Sequence, residues 1–387
     1  MLAAQGIRKH LLRWRRALHQ CPETAFAERK TARFVLRELQ RLAIPCEYGG
    51  VGGGIIARLR GSQSSTPAVA LRAELDALPI TEQTGLAFAS HHPGRMHACA
   101  HDGHMAMVVG AAMLLQQNPP AGDVVLIFQP AEEGGCGARV MIEAGALDGV
   151  AMIFGGHLTC HYATGQVMAA CGPVCAQADG FHIRVSGRGG HGARPHEASD
   201  ALVASAALVG DLQTLVSRET NPLDPSVVTV GTLHAGSAAN AIAHDAQLSG
   251  TIRSTRPETR QRLIAGLERM CRAFGEAYQT QIELTFSPTY PPVVNTRRET
   301  MLARQAAMSV VGSAGVFTQE LPSMGAEDFS FYLERVPGCF VRFGGRGPNT
   351  PNLPLHNPQF DFDEEALVVG ASYFDAVARL ALREAGA

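Results

Sequence analysis

A chain of 387 residues with 46 % hydrophobic and 18 % charged content is too apolar for disorder and long for one core, so two domains are expected. Its formal net charge of −2 and the lack of a basic block give no sign of a nucleic-acid partner. No apolar run reaches the length of a membrane span, and residues 1–16 lack a signal peptide's apolar centre, so a cytoplasmic location is expected.

Helical spacing predicts two helices within residues 8–42, broken at Cys21-Pro22-Glu23, with Phe34, Leu36, Leu39 and Leu42 on the second. Strand-like runs follow at 55–59 and 68–72, and 105–115 is apolar nearly all round, as a buried helix is. Strands at 124–128 and 150–154 alternate with helical segments, the pattern of a mostly parallel sheet flanked by helices. The order then changes to strand 181–186, helix 198–218, strands 227–233 and 248–253, helix 257–278 and strand 281–286. That is the ferredoxin-like split arrangement, closed by the turn-rich 288–292. Strand 339–343 and a helix over 364–382, N-capped by Asp363, resume the first pattern. The expected organisation is α/β: a catalytic domain over 1–178 and 290–387, interrupted by an inserted α+β domain over 179–289.

Chemistry concentrates at a few junctions. Glu132 and Glu133 follow the apolar run 124–128; Cys99 and His101 precede the buried helix; His157 and His356 follow further strands. In open α/β sheets, sites form beyond the carboxyl ends of strands, and residues two apart in extended chain project to one side. Thiolate, imidazole and carboxylate together suit Zn(II) and related ions and admit Mn(II). One carboxylate can hold metal while its neighbour moves a proton, so a metal-dependent hydrolase explains these residues together. Singly, each has a bland reading. A cysteine is by default a small core residue and a histidine structural, and the nine cysteines show no regular spacing. His97 and His104 suit orientation better than ligation.

The chain resembles the M20 metallopeptidases, in the branch holding hippurate hydrolases, aminoacylases and auxin-conjugate hydrolases. The likeness runs from Arg15-Arg16-Ala17-Leu18-His19 through Arg72–Pro79, the Cys/His cluster, 129–135, Gly187–Ala193 and Met324–Phe329 to His356-Asn357. It implies a two-ion site (Zn or Mn, with Co or Ni admissible) held by Cys99, His101, Glu133, His157 and His356, with Glu132 as general base and acid. It further implies His191 as an oxyanion donor to the partner subunit of a homodimer or higher homo-oligomer, Asn240 and Arg253 as a grip on a substrate carboxylate, and Asp76 fixing a ligand histidine. A structural salt bridge remains open for Arg253, and Glu327, in a polar loop, either fixes a ligand histidine as Asp76 does or caps a helix. Two departures stand out. The family's glycine between Cys99 and His101 is Ala100, which predicts either a negative φ or a re-set loop. Thr159-Cys160-His161 replaces the usual residues after His157, so Cys160 or His161 could compete for metal.

The expected activity is hydrolysis of N-acyl amino acids to a carboxylic acid and a free amino acid. The rivals are an aminopeptidase or carboxypeptidase, an N-acyl-diaminopimelate-type deacetylase, and a non-enzymatic metal-binding protein.

Overall fold

The computed structural model describes residues 5–49, 53–62, 67–287, 290–318, 322–348, 350 and 352–386, so part of the N-terminal stretch and Pro288 and Thr289 of the expected closing turn lie outside it. The chain forms two compact units, one of 1–174, 294–320 and 328–387, the other of 175–293 and 321–327.

In the first unit, helices α1 (Arg8–His19) and α2 (Arg29–Arg41) precede strands β1 (Cys46–Gly49), β2 (Gly54–Leu59) and β3 (Ala68–Glu74). Helix α3 (His101–Gln117), β4 (Val124–Gln129), α4 (Gly137–Glu143), β5 (Val150–Ala163) and β6 (Val167–Met168) follow. The sheet also takes β11 (Val316–Phe317) and β12 (Gly338–Arg346), in the order β1-β2-β4-β3-β5-β12-β6-β11. Its central pairs β4–β3, β3–β5 and β5–β12 are parallel. Every residue of β3 and β4 is buried, as parallel strands covered on both faces require. Helix α3 is buried nearly all round and packs with α1, with α2 and with α9 (Glu365–Ala385), which follows α7 (Arg297–Val311) and α8 (Ser330–Leu333) in the chain. Gly110 permits the approach to α1 and α9, because a Cβ there would meet Leu11 at 2.5 Å and Ala371 at 3.0 Å. Asp363 accepts the amide of Glu365 at 3.1 Å at the start of α9.

The second unit builds an antiparallel sheet in the order β8-β9-β7-β10 from β7 (Gln177–Ser186), β8 (Ser226–Ala235), β9 (Asp245–Ser254) and β10 (Gln281–Phe286). Helices α5 (Ala201–Leu212) and α6 (Pro257–Tyr278) give the ferredoxin-like order, and their apolar faces share a core with Phe181, Ile183 and Val185. The helix expected over 198–218 is shorter. Asp200 caps its start by accepting the amides of Leu202 and Val203, and side chains of Gln213 and Thr214 take the carbonyls of Val209 and Asp211, splitting off Thr214–Ser217.

No helix among the described residues is long and apolar enough to cross a membrane.

Candidate metal centre

Helix α3 starts at His101, and the turn before it fixes where Cys99 points. Ala100 sits at φ 64°, in the left-handed region. The backbone therefore adopts the glycine-type conformation with an alanine in it, and neither a negative φ nor extended chain is found. Such a conformation costs an L-residue about 1–2 kcal/mol. It turns Cys99 and His101 toward a common point instead of relying on the alternation of a strand.

His157 also departs from expectation. It lies inside β5, which continues to Ala163 because β12 pairs with it from Ile153 onward, with Arg342 opposite His157. His356 occupies the loop after β12 at φ 67°, held by its amide to the carbonyl of Ala98 at 2.9 Å. Glu132 and Glu133 follow Ala131 at φ 52° and precede Gly134 at φ 83°. Strained backbone at three such positions is characteristic of sites whose geometry is set by surrounding structure.

The cluster closes on one sulfur. Cys99 Sγ lies 3.3 Å from His157 Nε2 and 3.3 Å from His356 Nε2. His356 Nε2 lies 3.0 Å from Glu133 Oε1. Two donor triads result, Cys99–His101–His157 and Cys99–Glu133–His356, each with its ligand atoms within 4.8 Å of one another. A third grouping joins His101 to Glu132 and Glu133 on the same scale. Half of the His356 side chain is exposed, whereas Cys99, His101 and His157 are buried, so the cluster is closed at one end and open at the other.

Hydrogen bonds select the ligand atoms. His157 Nδ1–H donates to the Leu158 carbonyl at 2.6 Å, which leaves the Nε2 lone pair facing Cys99. His101 Nδ1–H donates to the Asp76 carbonyl at 2.8 Å, with the Asp76 carboxylate 3.4 Å away. His101 Nε2 is buried and without a hydrogen-bond partner among the described residues, the state of a ligand nitrogen aimed at a cation. Asp76 also accepts the Glu133 amide at 2.9 Å, linking one histidine to the carboxylate loop. His104 has both nitrogens engaged: Nδ1–H donates to Glu74 at 2.8 Å and Nε2 accepts the Leu158 amide at 2.9 Å. Glu74 in turn pairs with Arg72.

Electrostatics favour cation binding. Burial, followed by the carboxylates of Glu133 and Glu132, pushes the Cys99 thiol well up, so a bound cation must displace its proton. Burial, with His104, keeps His157 neutral. Burial alone would lower His101, but its bond to Asp76 and the nearby carboxylates raise it to about 10. Burial would raise Glu133, but His356 and His101 hold it down as a carboxylate. Once the thiol and His101 give up their protons, this set of thiolate, imidazoles and carboxylate fits divalent cations of the Zn(II) and Mn(II) type.

Cys160 and His161 stay apart from both triads. The Cys160 thiol donates to the Asp361 carbonyl at 3.6 Å, and His161 is exposed.

In the second unit, the two-residue pairing of Gly190–His191 with Ala241–Ile242 sets His191 beside Asn240, whose carbonyl accepts the Gly192 amide at 2.8 Å. His191 Nδ1 accepts the Ala193 amide at 3.1 Å, which puts its proton on Nε2. Arg253 is half-buried on β9 and forms no ion pair among the described residues, because the nearby Asp179 carboxylate is taken by Arg260 at 2.7 Å. The salt-bridge alternative for Arg253 is therefore not realised. Glu327 is buried in the 321–327 segment of this unit.

Sequence reasoning gave Arg72 and Glu74 no role beyond their motif and passed over Glu28. The available signal was an Arg and a Glu inside an otherwise apolar strand, Ala68–Glu74.

Comparison with known proteins agrees with this geometry. The model of peptidase family M20/M25/M40 matches residues 70–380. N-acetyl-L-cysteine deacetylase of Bacillus subtilis (strain 168) is 39 % identical over 378 residues, covering 95 % of this chain and 87 % of its own. Thermostable carboxypeptidase 1 of Saccharolobus solfataricus is 36 % identical over 368 residues, covering 93 % and 92 %. The solved structure of a Bacillus subtilis protein, described as a dinuclear metal-binding peptidase from the M20 family, is similar with a TM-score of 0.84 and 35 % identity, covering 98 % of this chain and 99 % of that one. With a family match over most of its length and relatives this similar, the chain belongs to peptidase family M20/M25/M40 and is a hydrolase acting on amide bonds.

Proposed function

We propose that this enzyme hydrolyses N-acyl amino acids, using two divalent ions held by Cys99–His101–His157 and Cys99–Glu133–His356. The observation that carries the reading is the position of Cys99 Sγ, 3.3 Å from each of two histidines that belong to different triads. When bound, such an ion pair supplies Lewis acidity and a water acidic enough to ionise near neutral pH. Glu132, buried beside Glu133, accepts the proton of the attacking water and returns it to the leaving amine nitrogen. His191, with its proton on Nε2, donates to the developing oxyanion in the partner subunit of a homodimer. Asn240 and the guanidinium of Arg253, which has no ion pair among the described residues, grip the carboxylate of the amino-acid half. The deacetylase relative supports an acyl amino acid as substrate.

Glu132→Gln tests the mechanism. Metal content measured by mass spectrometry should match wild type, while turnover of N-acetyl and N-benzoyl amino acids is lost. Undiminished turnover in that variant would refute the role of Glu132. The carboxypeptidase relative favours a second reading, cleavage of C-terminal residues from peptides. Dipeptides and acyl amino acids offered in competition separate the two.

A further inference from the structure

A chain of buried polar side chains runs from the loop bearing Glu132 and Glu133 to the neighbour of His157, and it turns on Asp328. The Asp328 carboxylate is fully buried. Its Oδ1 accepts from Arg72 Nη2 at 2.7 Å and Gln129 Nε2 at 2.9 Å; its Oδ2 accepts from Gln129 Nε2 at 2.8 Å and the Ala138 amide at 3.0 Å. The three donors belong to three segments that lead into the site. Arg72 is on β3, which runs on to Asp76; Gln129 ends β4, just before Glu132; Ala138 opens α4, just after Gly134-Gly135.

Arg72 extends the chain in the other direction. Its Nε donates to Gln129 Oε1 at 2.9 Å and its Nη1 pairs with Glu74. Glu74 holds His104, and His104 holds the amide of Leu158, next to His157. Side-chain oxygens of Glu132 and Asp328 lie within 4.8 Å of each other. Two carboxylates and one guanidinium removed from water are a costly way to fill a core, since apolar side chains of the same volume serve stability as well or better. Their arrangement reaches every segment of this unit that supplies a buried candidate ligand.

We propose that Asp328 is a positioning residue for the amide hydrolysis read above, fixing the direction in which the 130–135 loop presents Glu132 and Glu133 to His101 and His157. The proposal rests on that reading: the activity readout depends on its substrate, whereas the metal readout depends on the donor triads alone.

Asp328→Asn is the direct test, because the four bonds named above all come from donors. Whichever way the amide turns, its NH2 faces the amide of Gln129 and either the Arg72 guanidinium or the Ala138 backbone N–H. The Co(II)-loaded variant should keep two ions but show a shifted visible absorption spectrum. Its kcat should fall about 10- to 100-fold with KM within about 2-fold. Tyr332→Phe removes the outer 3.2 Å bond to Gln129, leaves the four bonds to the Asp328 carboxylate named above in place, and should leave spectrum and kcat as in wild type. A Co(II) spectrum and kcat equal to wild type in Asp328→Asn, with only the melting temperature lowered, would overturn the proposal. Should that variant fail to fold, Gln129→Met removes two of the four bonds named above, and the same shift and loss are expected; an unchanged spectrum would count equally against the idea. If wild type turns over no N-acyl amino acid, the functional reading fails while the Co(II) spectra still decide the role of Asp328.

Discussion

Glu28 Oε1 accepts the amide of Ala131 at 2.8 Å, so the residue just before α2 holds the loop presenting Glu132. Burial raises Glu28 from 4.5 to about 7, against the pull of backbone amides and with help from the charge of Asp76. A carboxyl raised in the folded state stabilises it fully below the unfolded value and loses that contribution as pH rises through the folded value. Between pH 4.5 and 7, Glu28 should therefore subtract up to about 3 kcal/mol. Urea midpoints of wild type and Glu28→Gln across this window check the sign: the variant should lose less stability on going to pH 7.

Ala100 carries left-handed strain that glycine would not. Ala100→Gly should raise stability by about 0.5–1 kcal/mol, the strain relieved exceeding the entropy that glycine adds to the unfolded chain. Calorimetry should show a melting temperature about one degree higher, with turnover preserved.

Cys99 belongs to both triads, whereas His157 and His356 belong to one each. After dialysis, mass spectrometry should find about one ion in His157→Ala and in His356→Ala, but fewer than one in Cys99→Ala. A Cys99→Ala protein retaining two ions would contradict the shared sulfur.

His19 is buried between Asp102 at 2.8 Å and Glu82 at 3.2 Å, with Arg15 and His97 also nearby. Burial lowers its pKa, but Asp102 and Glu82 outweigh that and raise it from 6.5 to about 9. The stabilisation is complete below pH 6.5 and disappears as pH rises through 9, a change of about 3 kcal/mol. His19→Gln should flatten the stability profile over this window in thermal unfolding followed by circular dichroism.

Arg253→Lys exchanges a planar two-pronged donor for a point charge. KM for N-acyl amino acids should rise about 10- to 100-fold with kcat little changed, since one bidentate charged contact contributes about 1.5–3 kcal/mol. Amidated substrates, which lack the carboxylate, should not distinguish the two enzymes.

Much of this was legible in residue order because local signals agreed with the fold. Pro257 and Glu258 open a helix that runs to Tyr278, and the apolar runs of β3 and β4 could only be covered strands. The residue types around Cys99 and Glu133 declared their chemistry without any distances. What residue order concealed was set by partners far along the chain. The length of β5, and with it the place of His157 inside a strand, comes from pairing with β12 nearly two hundred residues later. The φ of Ala100 is imposed against its own preference by the structure on either side. The bond from Glu28 to Ala131 spans 103 residues, and the one from Gln129 to Asp328 spans 199. No periodicity reports such pairs.

Because α3 is enclosed by other elements along most of its length, the two histidines of its first turn stand on a post that has nowhere to lean. Stripping the protein of cations should thus leave an intact, vacant socket rather than a collapsed one. Refilling would then follow whichever ion is abundant nearby, and interchangeability of cofactor becomes a by-product of rigid architecture.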